Sequence, residues 1–301
     1  MIEPYEQFKL SLCSKRMHFV VKNYRLKSSM FLNLRGSKNH TNVCLFCPKY
    51  SVDEVTFLVK GGYIYCWETN NIEESQYRLK QKTERIFSCE NIIKGTKFLV
   101  EFLGVLFAVK VKKVEVTDNT TWMLDFVEER QGAFSYDAEV WSECARTDEQ
   151  LRHILLDLNP RSLEFDQKTS DEFRIENFHK KYENLTIYRG TWVTVENLYQ
   201  LDCVKIEINL KFFSNAEINR YLKHVLSGGA PRLREFLASD LLPPENKIMD
   251  GIQELLTESE RSADDGFGNW KVIGKVARGE EVAMVSIEAT FQNIHLEIKE
   301  A

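Results

Sequence analysis

Six short apolar segments recur between Ile93 and Ala238, and their spacing constrains the fold more than any other feature of the chain. They are Val111–Val116, Ser135–Trp141, Ser162–Phe165, Asn184–Tyr188, Val204–Asn209 and Leu233–Ala238. Each has the length and alternation of a strand. A helical signal, or a stretch long enough to hold a helix, separates each pair. We take Val114/Val116, Ala138/Val140, Leu163/Phe165, Leu185/Ile187, Val204/Ile206 and Phe236/Ala238 as equivalent positions. Successive units then start roughly 20 to 30 residues apart, the spacing of leucine-rich-type repeats. A strand–helix unit of that size cannot shelter its own apolar face, whereas a stack of them builds a continuous core and one parallel sheet. The units are degenerate and lack the leucine-rich signature with its asparagine ladder. The expected form is therefore a short, irregular, leucine-rich-repeat-like strand–helix solenoid. An α/β domain with some other strand order is the competing reading.

Two helices within this stretch are well signalled. Thr147-Asp148-Glu149-Gln150 reads as a capping box, in which the hydroxyl and the amide satisfy orphan backbone N–H groups. Leu151, Ile154, Leu155 and Leu158 follow as one apolar stripe, and Pro160 stops the helix. Ser214-Asn215-Ala216-Glu217 is a second box, followed by Ile218, Tyr221, Leu222 and Val225 at the same spacing. Gly228 or Gly229 can take the left-handed conformation that ends this helix.

The flanks read differently. Pro4 to about Tyr24 predicts one bent helix or two short ones. From Met30 to about Cys89, short strand-like runs alternate with turn signals: Met30–Leu34, Val43–Cys47, Val55–Val59, Tyr63–Trp67 and Tyr77–Phe87, with a hairpin turn at Gly62. These predict a small antiparallel β subdomain. Beyond Ala238, Pro243-Pro244 breaks the chain, Ile248–Thr257 reads as helical and Glu258–Asp265 as a polar loop. Trp270–Ala277 and Val282–Ile287 flank Gly279 as a hairpin, and Ile294–Ile298 forms a last strand that closes the sheet edge. The fold class is thus α+β or α/β, in three parts: residues 1–27, 28–92 and 93–301.

Composition excludes several functions. With 43 % apolar and 28 % charged residues over 301 positions, a sizeable core can form. The net charge of −5 gives no basic footprint for nucleic acid. The run Lys110–Lys113 alternates with valines and reads as a strand with one wet face. The longest apolar stretch, Phe98–Val109, contains Glu101 and falls short of the roughly 20 residues a membrane span needs. Met1–Glu6 is polar, with no apolar signal region, and seven cysteines suit free thiols. A cytosolic or nuclear protein is expected, in which the sequons at Asn39, Asn119 and Asn184 carry no sugar.

No catalytic constellation stands out, and neither a metal nor a cofactor is expected. Cys44-Leu45-Phe46-Cys47 lacks a second ligand pair, with only His40 near, and a strand would point its sulfurs to opposite faces. The histidines at 18, 40, 153, 179, 224 and 295 form no close pair. Gly266-Phe267-Gly268 is not framed by a strand and a helix, as a nucleotide fingerprint would be. An enzyme of unrecognised type would need a pocket of convergent ionisable groups.

Two stretches carry a family resemblance. Pro4-Tyr5-Glu6-Gln7-Phe8-Lys9-Leu10-Ser11-Leu12-Cys13-Ser14-Lys15-Arg16 resembles the second half of the F-box of nematode F-box proteins. The stretch from Leu185, through Leu201-Asp202-Cys203, Ser214-Asn215-Ala216-Glu217 and Gly228-Gly229-Ala230-Pro231-Arg232-Leu233, is similar to a type 2 F-box-associated domain. The C-terminal hairpin with Asp265-Gly266 also fits. The resemblance implies an adaptor: the F-box docks on Skp1 of a cullin-based ubiquitin ligase, and the rest holds a protein target. Carried onto this chain, the Skp1-facing residues are Pro4, Tyr5, Phe8, Leu10, Leu12 and Cys13. The family's first F-box helix has no counterpart here, so a truncated F-box with weak or absent Skp1 binding is expected. The alternative is a stand-alone protein-binding module without a ubiquitination role. If the sheet is as drawn, Glu164, Thr186, Lys205 and Glu207 face outward and are candidates for target contact.

Overall fold

The computed structural model describes residues 3–24, 29–48, 54–61, 82–117, 119–141, 146–211, 213–239, 248, 250–261, 270–278, 281–290 and 293–300. Among them the fold is mixed α/β with seven α-helices. The chain divides into two compact units, Met1–Glu139 and Val140–Ala301. The expected strand Tyr63–Trp67, the turns at Gly62 and Gly279, the Pro243-Pro244 break, Asp265-Gly266 and Gly266-Phe267-Gly268 lie outside the described residues.

In the first unit the N-terminal segment forms two helices, α1 (Pro4–Cys13) and α2 (Lys15–Tyr24). Ser14 breaks the segment with extended backbone, and its hydroxyl accepts from the Met17 N–H at 3.1 Å, so the break residue caps the second helix. Strands β1 (Phe31–Gly36), β2 (His40–Phe46) and β3 (Glu54–Gly61) form an antiparallel meander. The expected all-antiparallel arrangement stops there. β4 (Lys82–Cys89) runs parallel to β3, and β5 (Val111–Val116) runs parallel to β1. Parallel neighbours need a long crossover, which α3 (Ile92–Phe107) supplies between β4 and β5. The order is β5-β1-β2-β3-β4, so α3 must travel from β4 back across the row to β5. At 1.5 Å per residue a helix of this length spans about 24 Å, enough to cross five strands. Leu99, Val100, Leu103, Leu106 and Phe107 are buried on its sheet-facing side. After α4 (Trp122–Gln131), the Gln131 side-chain amide bonds both the N–H and the carbonyl of Val111. β6 (Asp137–Trp141) straddles the division between the units.

In the second unit, α5 (Asp148–Arg152) carries the expected capping box and continues as a π-helical turn over His153–Asp157. β7 (Ser162–Asp166), β8 (Lys180–Ile187), β9 (Leu201–Ile208) and β10 (Glu235–Ala238) are parallel neighbours. Helix α6 (Val195–Tyr199) connects β8 to β9, and α7 (Asn215–Leu226) connects β9 to β10. α7 has the Ser214/Glu217 box, and Gly228 takes the left-handed conformation that ends it. α6 opens with a box that the sequence reading overlooked, Thr194 with Asn197, because asparagine stands where glutamate or glutamine is usual.

The register corrects one pairing. Leu163 aligns with Leu185, Ile206 and Phe236, and Phe165 with Ile187, Ile208 and Ala238. Ile206/Ile208, not Val204/Ile206, is therefore the equivalent inward pair. The alternation slips in step on both strands: Asn184 follows Glu183 outward, and Lys205 follows Val204 outward. Inside, Trp192 meets Phe165, Phe173 and Phe178 edge-on at 6.4, 5.5 and 5.7 Å between ring centroids.

The C-terminal strands extend this sheet. β14 (Ile294–Glu300) pairs antiparallel with β10, and β13 (Glu281–Ala289), β12 (Trp270–Arg278) and β11 (Thr257–Arg261) follow outward. Two expectations fail here. Of the helix expected over Ile248–Thr257, the described residues show a 3-10 turn at Gln253–Leu255. The expected polar loop from Glu258 includes most of β11, since an edge strand needs only one neighbour's ladder and no apolar face. Its charged side chains discourage pairing with another chain.

Candidate functional site

Parallel strands leave one question for function: what covers the second face of the sheet. Leu163, Phe165, Leu185, Ile187, Ile206, Ile208, Phe236 and Ala238 are buried on the inward face. The alternate positions, half-buried apart from the exposed Asn184, point the other way. They fall in lateral rows fixed by register. One row is Glu164, Thr186, Glu207, Leu237 and His295, and the next is Ser162, Asn184, Lys205, Glu235 and Glu297. Three of the four residues predicted for target contact thus share one row, with neighbours about 5 Å apart, and Lys205 lies in the adjacent row.

Hydrogen bonds and ion pairs hold these side chains in place. Lys205 Nζ pairs with Glu235 at 2.9 Å. The Asn209 amide donates to Glu207 at 3.1 Å, and the Ser239 hydroxyl donates to Asn209 at 2.7 Å. Tyr188 donates to Glu164 at 3.4 Å, and its ring packs on Trp141 at 5.4 Å between centroids. Trp141 remains 36 % exposed. Trp141, Tyr188 and Leu237 give the face an apolar component that the sequence reading did not assign. The signal existed for Trp141: Ala138 and Val140 were placed inward, so Trp141 had to face out. Large aromatic side chains held in place by neighbours are the usual anchors of protein interfaces.

The six residues carried over from the F-box resemblance fall into three groups on α1. Pro4 and Phe8 are buried, and the Phe8 ring packs against Phe57 at 4.9 Å and Phe102 at 5.6 Å. Tyr5 and Leu10 are half-buried. Leu12, 57 % exposed, and Cys13 lie on the surface. Phe19 of α2 is 64 % exposed and was not assigned a role from sequence.

Thiol ionisation is suppressed at Cys44 and Cys203. Burial, the largest cause, pushes the Cys44 thiol up to about 11 and the Cys203 thiol up to about 12. Cys44 and Cys47 of the C-x-x-C pair are both fully buried. The folded thiols of Cys44 and Cys203 stay protonated at pH values where an unfolded chain ionises. Their contribution to stability is complete below the ordinary thiol range and is lost as pH rises. Unfolding free energy is expected to fall as pH climbs from about 9 toward 11. The double variant Cys44→Ala/Cys203→Ala is expected to show a shallower fall in urea titrations, and an unchanged slope would contradict this account. Among the described residues no group of three or more His, Cys, Asp or Glu side chains could hold a metal ion. No helix among them is long and apolar enough to cross a membrane.

Residues 172–237 match the sequence model of a family described as F-box associated. This range contains β8, β9, α6, α7 and most of β10. No curated protein matches the chain. A crystal structure of an S-adenosylmethionine-dependent methyltransferase from Clostridium acetobutylicum aligns at 13 % identity. That alignment covers 63 % of this chain and 67 % of the other, with a TM-score of 0.14, too low to carry any argument about fold or activity.

Proposed function

We propose that the chain is a non-enzymatic protein-binding module. In this reading it is the target-recognition part of a Skp1–cullin–F-box ubiquitin-ligase adaptor, working in the cytosol or nucleus. The observation that carries the reading is the coincidence of two features on one stretch. The F-box-associated match covers residues 172–237, and the same residues supply β8, β9 and most of β10, whose outward rows form an open face of fixed side chains. We take β7 to β10 with their connections as a short solenoid of the leucine-rich type. Such stacks present broad surfaces for macromolecules rather than closed clefts.

The target face is assigned to Glu164, Thr186, Lys205 and Glu207, joined by Trp141, Tyr188 and Leu237. The Skp1 contact is assigned to the exposed end of α1, Leu12 and Cys13 with Leu10 beside them, because Pro4 and Phe8 are already spent on the chain's own packing. Skp1 binding through so short a surface is weak. A stand-alone recognition module keeps the target face and lacks the Skp1 contact.

The test separates the two contacts. Glu164→Ala/Thr186→Ala/Lys205→Ala/Glu207→Ala is expected to reduce capture of the cellular target at least about tenfold, the scale of losing one good anchor. Circular dichroism and thermal melting should stay unchanged, since all four side chains are only half-buried. Capture at the original level with this variant would move the target to another surface. Purified Skp1 is expected to bind weakly, and Leu12→Asp should abolish that binding. Skp1 binding that ignores this change would reject the α1 assignment, and no Skp1 binding at all would favour the stand-alone module.

A further inference from the structure

A cleft of about 390 Å³ lies on the helix side of the second unit, lined by Arg152, Leu156, Arg174, Ile175, Glu176 and Asn177. We infer that it is an anion site that receives a carboxylate side chain of an acidic peptide segment. The inference rests on the protein-binding reading above and adds a second contact away from the sheet face.

Both guanidinium groups are organised around Phe173. Arg152 stacks on its ring at 5.2 Å, and Arg174 Nη1 donates to its carbonyl at 2.6 Å and to that of Asp171 at 2.9 Å. The Arg174 bonds use one nitrogen and leave the Nε–Nη2 edge, whose parallel donors match a carboxylate. The wall is also fixed. Asn197 donates to the Ile175 carbonyl at 2.7 Å, Gln200 donates to the Glu176 carbonyl at 3.2 Å, and Gln200 accepts from the Phe178 N–H at 2.5 Å. The opposite wall is the π-helical turn that carries Leu156, a local widening often found at functional sites. Half-buried Leu156 offers apolar surface to the methylenes of a glutamate.

Among the lining residues themselves charge is unbalanced toward positive. Glu176 is the single carboxylate among the lining residues, against two arginines. Half-buried Asp148 stands 4.0 Å from Arg152, and Glu149 lies within its field, so these two carboxylates offset part of the Arg152 charge and Arg174 carries the larger share of the attraction. Lys211 lies on the Arg174 side outside the lining, with its charge offset by Glu217: burial lowers its pKa, Glu217 raises it and Arg174 lowers it again. Arginines that only braced the loop would have no need of an open cleft between them, so the discriminating measurement is ligand binding.

The probe is fluorescein-labelled hexaglutamate, titrated with the full chain and read by anisotropy. The wild type is expected to bind saturably at low salt and more weakly as salt rises. Labelled hexalysine is expected not to bind. Arg152→Gln/Arg174→Gln should weaken hexaglutamate binding by about tenfold or more. Glu176→Gln should strengthen it about twofold, by removing a like charge from the rim. Glu176 is exposed and anchors the loop through its backbone carbonyl, so this variant keeps the fold and decides the matter if the double variant unfolds. The inference is overturned by absent binding, by equal hexalysine binding, by an unaffected double variant, or by a Glu176→Gln variant that binds no better. Inorganic phosphate that competes as well as unlabelled hexaglutamate would also overturn it, assigning the cleft to a free anion. Saturable hexaglutamate binding by a wild-type chain that captures no cellular protein would instead reject the reading on which the inference rests.

Discussion

Replacing Trp192 with alanine is expected to lower the unfolding free energy by about 3–5 kcal/mol, the range for deleting a buried large aromatic side chain. The indole is 1 % exposed and stands among three phenylalanines that come from β7, from the β7–β8 connection and from the residues before β8. Removing it leaves a void that those rings cannot close, because Phe165 is fixed by its strand and Phe173 by the arginines around it. A domain of this size has about 5–15 kcal/mol to lose, so the variant should unfold at markedly lower urea concentration. Trp192→Phe keeps a ring in the same space and should retain most of the stability. A loss below about 1 kcal/mol for the alanine variant would show that the cluster repacks and is not the centre of this unit.

The second large effect is expected at Asn197, which is 1 % exposed and serves two structures at once. Its carbonyl oxygen accepts from the Thr194 N–H at 3.0 Å as half of the α6 capping box. Its amide donates to the Ile175 carbonyl at 2.7 Å, tying the irregular β7–β8 connection to that helix. Asn197→Ala orphans a buried carbonyl, which costs about 1–3 kcal/mol, and removes the helix cap bond as well. Asn197→Asp keeps the acceptor for Thr194 but cannot donate to Ile175 while ionised, so it should destabilise at least as much. Amide hydrogen exchange over residues 173–178 is expected to rise sharply in both variants. Exchange that stays at the wild-type level would mean that Gln200 alone holds the connection.

The residues behind these effects were not equally visible in the sequence. The two capping boxes at Thr147 and Ser214 were legible because a cap is a contact among four consecutive residues. Trp192 and Phe173 carried no periodic signal, because they sit in connections without regular structure, and nothing local says that they meet. Asn197 was likewise silent: an asparagine three residues after a threonine acquires its second role only when Ile175 is folded against it. The outward candidates Glu164, Thr186, Lys205 and Glu207 did reach one face, since alternation alone sorts strand residues into two sides. Their arrangement into rows, and the company of Trp141, Tyr188 and Leu237, followed from register.

By itself the sequence determined where the apolar β segments of the second half lie, which residues of most of them turn inward, and where α5 and α7 begin. These properties depend on backbone geometry and on neighbours a few positions away. Tertiary packing alone decided that β4 and β5 run parallel to their neighbours, that Val204 turns outward while Ile206 and Ile208 fill the core, and that Glu258 joins an edge strand. It also brought Arg152 and Arg174 to one cleft. Each of these depends on which distant segment supplies the adjoining hydrogen-bond ladder or apolar surface, and that choice is made by burial over the whole unit rather than by any local pattern.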